Sequence, residues 1–96
     1  MDFEHDTRDN RYRLTRAGET MSLADYRPLD DGTTLEFHHT LTMPEHRGHG
    51  HAAELVRRAL DDVKASGRRV VPTCWFVRGF IDRHPEYAEH TGAPPA

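Results

Sequence analysis

The chain has 96 residues, 35% of them hydrophobic and 30% charged, with a formal net charge of −3. That describes one domain with an adequate but modest core, and it argues against a disordered segment. No basic run suits a nucleic-acid backbone and no apolar stretch approaches the roughly 20 residues of a membrane helix, so neither nucleic acid nor membrane is an expected partner.

Residues 1–6 are acidic and lack the apolar stretch of a secretory signal. Cys74 has no second cysteine to pair with, so the expected compartment is the reducing cytoplasm.

Residues 3–8 form a weak strand candidate. Residues 11–16 alternate better, with Tyr12 and Leu14 on one side and Arg11, Arg13 and Thr15 on the other. Ala17-Gly18-Glu19 marks a turn. Residues 20–26 resume the alternation through Met21 and Leu23, so the two runs read as a hairpin. Residues 27–32, with Pro28 and Gly32, read as a second turn.

Residues 33–42 are the clearest strand. Simple alternation places Leu35, Phe37, His39, Leu41 and Met43 on one face, and Glu36, His38, Thr40 and Thr42 on the other. Pro44 ends it. Residues 51–66 carry Ala52, Leu55, Val56, Ala59, Leu60 and Val63 at helical spacing, and Gly67 suits the position just past the helix. Val70 and Val71 sit in a short buried strand over residues 69–72. Strand, helix, strand implies a right-handed parallel crossover. Phe76, Val77, Phe80 and Ile81 then describe a second, shorter helix that His84-Pro85 stops. Residues 1–90 are read as one domain and residues 91–96 as a disordered tail.

Between the clearest strand and the longer helix lies Pro44-Glu45-His46-Arg47-Gly48-His49-Gly50-His51-Ala52. A strand, a glycine-bearing turn and a helix N-terminus together offer backbone amides and a partial positive charge to a phosphate. Gly48 and Gly50 remove side chains where a ligand would come close. Arg47 adds a fixed charge. The pattern lacks the Gly-Lys-Ser/Thr of a Walker loop and the third glycine of a dinucleotide fingerprint. The same glycines also serve a turn that only bends the chain. His46, His49 and His51 crowd this loop without a standard zinc spacing, so no metal is expected.

Arg47-x-x-Gly50-x-Ala52 resembles the Gln/Arg-x-x-Gly-x-Gly/Ala signature of the GCN5-related N-acetyltransferases. Further motifs resemble a small branch of that family: His39-Thr40 before the loop, Pro72-Thr73-Cys74 after the helix, and the run from Phe80 through His84-Pro85 to Tyr87. The resemblance spans about residues 33–87 and is weaker before them. It implies an α/β (α+β) truncated fold of that family: a mixed, mostly antiparallel sheet with one β-helix-β crossover and a short C-terminal helix. It also implies acetyl-CoA as acyl donor, lying across the ends of the two parallel strands, and an amine, small or protein-borne, as acceptor. The implied donor-binding residues are Leu41, Thr42, Met43, Arg47, Gly48, His49, Gly50, His51, Ala52, Phe76, Arg78 and Arg83.

Cys74 has two readings: a nucleophile, or thiol beside the acyl carbon, at a helix start, or a small buried apolar residue. His39 is a general base, toward an amine or toward Cys74, or a hydrogen-bonded core histidine. Tyr26 and Tyr87 are weaker candidates as acids for the leaving thiolate. The expected function is N-acetyl transfer to an amine; the alternative is a CoA-binding module without catalysis.

Overall fold

The computed structural model describes residues 1–91. Five strands form one sheet in chain order: β1 (Asp2–Asp6), β2 (Arg11–Arg16), β3 (Glu19–Leu29), β4 (Thr34–Thr42) and β5 (Arg69–Pro72). The first four pair antiparallel, and β4 and β5 pair parallel. The crossover between them is α1 (His51–Ala65), and α2 (Trp75–Arg83) follows β5. Both helices contribute to one core with the sheet: Leu55, Val56, Ala59, Leu60 and Val63 from α1, Val77, Phe80 and Ile81 from α2, and Tyr12, Leu14, Tyr26, Leu35 and Phe37 from the strands. This is the expected α+β architecture. Among the described residues no helix is long and apolar enough to cross a membrane.

Three expectations need correction. The strand expected at residues 3–8 stops at Asp6, whose side chain accepts the amides of Arg8 and Asp9 in a turn. β3 continues through the stretch read as a turn and ends at Leu29. Pro28 is tolerated because the last bond on the β2 side of β3 is that of the Tyr26 amide to the Asn10 carbonyl; beyond it β3 is bonded on one side and a missing amide costs nothing there.

The third correction concerns β4. Asp25 pairs with His39 and Tyr26 with Phe37, so His38 is an extra residue, a β-bulge. The bulge resets the alternation. Leu35 and Phe37 face the helices as expected, but beyond His38 it is Thr40 and Thr42 that share the rows of Ala24 and Ser22 on that face. His39 and Leu41, expected beside Phe37, lie on the open face with Asp25 and Leu23. His38 and His39 are both exposed.

α1 buries its stripe as the spacing predicts, except that Ala52 is only half-buried while His51 is buried. Past α2, residues Pro85–His90 form a short 3-10 turn that returns Tyr87 to the core, its hydroxyl donating to Asp61 at 2.7 Å. Thr91, the first residue of the expected tail, bridges to Val70; residues 92–96 lie outside the described residues.

Candidate functional site

The parallel pair of strands opens just past its last bond. The Cys74 amide donates to the Phe37 carbonyl at 2.9 Å; beyond it β4 runs on to Thr42 while the segment after β5 turns into α2. A cavity of about 300 Å³ lies on the helix side of this region, lined by Thr42, His46, Arg47, Gly48, Gly50, His51, Ala52, Ala53, Phe76 and Arg83.

Its floor is the start of α1. Gly50 is the N-cap in the left-handed region (φ 74°), and among the described residues no side chain caps the helix. The first intrahelical bond is the Glu54 amide to the Gly50 carbonyl, so the amides of the first turn have no helical acceptor. A Cβ at Gly48 or Gly50 would meet nothing within 4 Å; what restricts both positions is their positive φ. Arg47 donates to the Thr42 carbonyl at 3.3 Å, and Arg83 approaches from α2. Burial, reinforced by His49, Arg16 and His46, holds the His51 imidazole below its ordinary pKa.

Of the twelve donor-binding candidates, eight line this cavity: Thr42, Arg47, Gly48, Gly50, His51, Ala52, Phe76 and Arg83. Leu41, Met43, His49 and Arg78 do not. Met43 spends its amide on the Met21 carbonyl (2.9 Å), which by ladder alternation leaves the Thr40 and Thr42 amides facing away from β3, toward the gap. His49 is exposed with its ring 5.7 Å from that of His51, and Arg78 is exposed on α2.

Cys74 and His39 are not brought together. Cys74 is 7% exposed and belongs to the helix-side core. Its sulfur lies 3.7 Å from Thr40 Oγ1. His39 stands on the other face beside Asp25. Tyr26 and Tyr87 do not line the cavity. The Tyr26 hydroxyl lies 2.6 Å from His5 Nε2 and its pKa is raised, chiefly by burial; burial and then the Asp61 bond push Tyr87 up to about 12.

Two features escape sequence reasoning. Ser22, fully buried on β3, lies 3.1 Å from Thr42 Oγ1 and donates to the Leu41 carbonyl, fixing the strand under the cavity. Glu19 and Glu45 gather around His46, with ligand-type atoms within 4.8 Å of one another. The Ser22 bonds and the Glu19–His46 contact join residues about 20 or more apart and leave no local pattern.

An open sheet whose parallel strands part over an uncapped, glycine-led helix is an α/β arrangement that can receive a phosphorylated ligand at strand ends. Residues 11–90 match the family model described as GCN5-related N-acetyl-transferase, and the chain belongs to that family. Solved structures share its fold. A GCN5-like protein of Staphylococcus aureus, a candidate N-acetyltransferase, aligns over 98% of this chain and 90% of its own (14% identity, TM-score 0.71). An N-acetyltransferase of Staphylococcus aureus Mu50 aligns over 78% of this chain and 50% of its own (18% identity, TM-score 0.58). No curated protein sequence matches the chain.

Proposed function

We propose that the protein is an acetyl-CoA-dependent N-acetyltransferase of the cytoplasm. The observation that carries this reading is the cavity of about 300 Å³ over the uncapped start of α1, with Arg47 and Arg83 at its walls. Those amides and guanidiniums fit a pyrophosphate, and Phe76 and Ala53 fit an apolar arm. The amine attacks the donor's thioester carbonyl; the carbon–sulfur bond breaks as the amide bond forms, and CoA leaves as the thiol, carrying one proton for the one that the amine gives up.

The amide of Thr40 or Thr42, facing the gap, is placed to bond the carbonyl oxygen as it gains charge. His39, on the open face, is the proposed base that takes the amine's proton. Cys74, on the helix face, is the proposed thiol beside the acyl group; with His39 across the sheet it acts without that histidine as partner.

Calorimetric titration with CoA and a mass spectrum after incubation with acetyl-CoA test the reading. Binding, with acetyl transfer to at least one amine of a panel, is expected. Binding without turnover would leave a CoA-binding module, and no binding would overturn the reading. A single acetyl adduct on Cys74, lost in Cys74→Ala together with most transfer, is the outcome for a covalent route. An unmodified mass with Cys74→Ala turning over normally makes Cys74 a packing residue.

A further inference from the structure

Glu36 is the one acidic side chain buried among the described residues, at 8% exposure. It lies on the open face of β4, in register with Arg27 on β3 and Val71 on β5. Oε2 accepts a hydrogen bond from Thr73 Oγ1 at 2.9 Å. Oε1 has no hydrogen-bond partner, and no other buried side-chain nitrogen or oxygen among the described residues shares that condition. Arg27 Nη1 is 3.8 Å from it, close enough for charge attraction but too far for a hydrogen bond, and the Arg27 side chain is 66% exposed.

Burying a carboxylate oxygen without a donor is costly, and a fold that keeps one calls for an explanation. The neighbouring carboxylate on the same face, Asp25, is already held by two bonds from Arg11 at 2.5 and 3.3 Å, so the vacancy is particular to Glu36. Its position is also particular. Thr73 is exposed, precedes Cys74, and has its hydroxyl 3.3 Å from the Phe37 carbonyl as well as 2.9 Å from Glu36. By turning that hydroxyl to Phe37, the site frees the second carboxylate oxygen, at the point where β4 and β5 part.

We propose that Glu36, with Thr73, is the subsite for the ammonium group of a cationic acceptor, and that Arg27 is its displaceable cover. This rests on the N-acetyltransferase reading. The acceptor it selects is an alkylamine without a carboxylate near its nitrogen. An ammonium carries the donors that Oε1 lacks, and it replaces an arginine that makes no hydrogen bond there.

The test uses n-butylamine, charged at pH 7.5, and 1-butanol as its neutral counterpart, followed by amide chemical shifts of the whole chain. Butylamine should shift Arg27 and Thr73 saturably, and butanol should not. Glu36→Gln should weaken butylamine about tenfold or more, while Arg27→Ala, at an exposed position that does not threaten folding, should tighten it roughly threefold. Equal shifts with butanol overturn the proposal, as does unchanged affinity in Arg27→Ala, even if Glu36→Gln fails to fold. A CoA titration of the same samples keeps the two readings apart. Butylamine binding at Glu36 without CoA binding would overturn the acetyltransferase reading and leave the cation subsite standing. CoA binding with no response to butylamine would do the reverse.

Discussion

The two ends of α1 are built in opposite ways. At the C-terminal end the loose carbonyls are taken up: the Ser66 amide and hydroxyl reach back to Asp62 and Val63, Gly67 donates to Lys64, and Arg68 donates to Val63. Gly67, at φ 75°, makes the reversal. At the N-terminal end another left-handed glycine, Gly50, begins the helix, and among the described residues no side chain caps it. One end is closed by its own sequence. The other is the end where we propose the donor's phosphates bind. Ending a helix with its polar groups satisfied serves stability; leaving them bare costs stability and serves binding.

The comparison fails if stability and ligand affinity do not separate along the helix. The largest expected effect is on its middle. Leu60→Ala should lower unfolding free energy by about 2–5 kcal/mol, against about 0.5 kcal/mol or less for exposed Arg57→Ala. Denaturant midpoints that ranked them the other way would contradict the buried stripe.

Next is the bare end. Gly50→Val puts a branched side chain at φ 74° and into the cavity, and CoA affinity should fall by about 2 kcal/mol or more, while exposed His49→Ala should change it little. Equal losses by calorimetry would count against the amide cradle. At the closed end, Gly67→Ala should cost roughly 1–2 kcal/mol of stability from left-handed strain and leave CoA affinity of the folded protein unchanged.

The smallest effect is a pH slope. His51 has a lowered pKa when folded, from burial first and then from the surrounding positive groups. The unfolded chain therefore binds the proton more readily. The stability His51 contributes is fully present above the ordinary imidazole value near 6.5 and is lost as pH falls through the lower folded value. His5, lowered chiefly by burial, adds to the same slope. Denaturation midpoints should drop from pH 8 to pH 5, with a shallower drop in His51→Asn; an identical drop would remove His51 from the effect.

These contrasts also show what could be read from the sequence. α1, its end at Gly67, the parallel crossover and the glycine turn with Arg47 follow from local spacing, because a helix period and a strand–glycine–helix junction are written within about 20 consecutive residues; the rest of the cavity wall, Phe76 and Arg83 among it, came only with the family resemblance. The phase of β4 was not legible. A bulge at His38 is set by how β3 and β4 register, and one inserted residue exchanges His39 for Thr40 on the helix face. That is why His39 and Cys74, which look like neighbours when the strand is taken as regular, stand on opposite faces. The length of β3 was hidden for a related reason: Pro28 breaks a strand bonded on both sides, and only the short reach of β2 shows that this one is bonded on one. Glu36 gave no signal either, since its place in an alternating strand looks like any solvent-facing charge.

The order of the strands bears on how the chain meets other chains. A five-stranded sheet has two rims of unused backbone groups, and such rims invite a sixth strand from another molecule. β1 carries Asp2, Glu4 and Asp6 along one rim, and charge on an edge strand discourages growth there. β5 has only four residues, and its outer side is met by the Val70–Thr91 bridge, with Arg69 donating to the Thr91 carbonyl. One rim is thus guarded by charge and the other by brevity and by Thr91. Removing the acidic side chains of β1 would unguard the longer of the two and make the protein more prone to edge-to-edge aggregation.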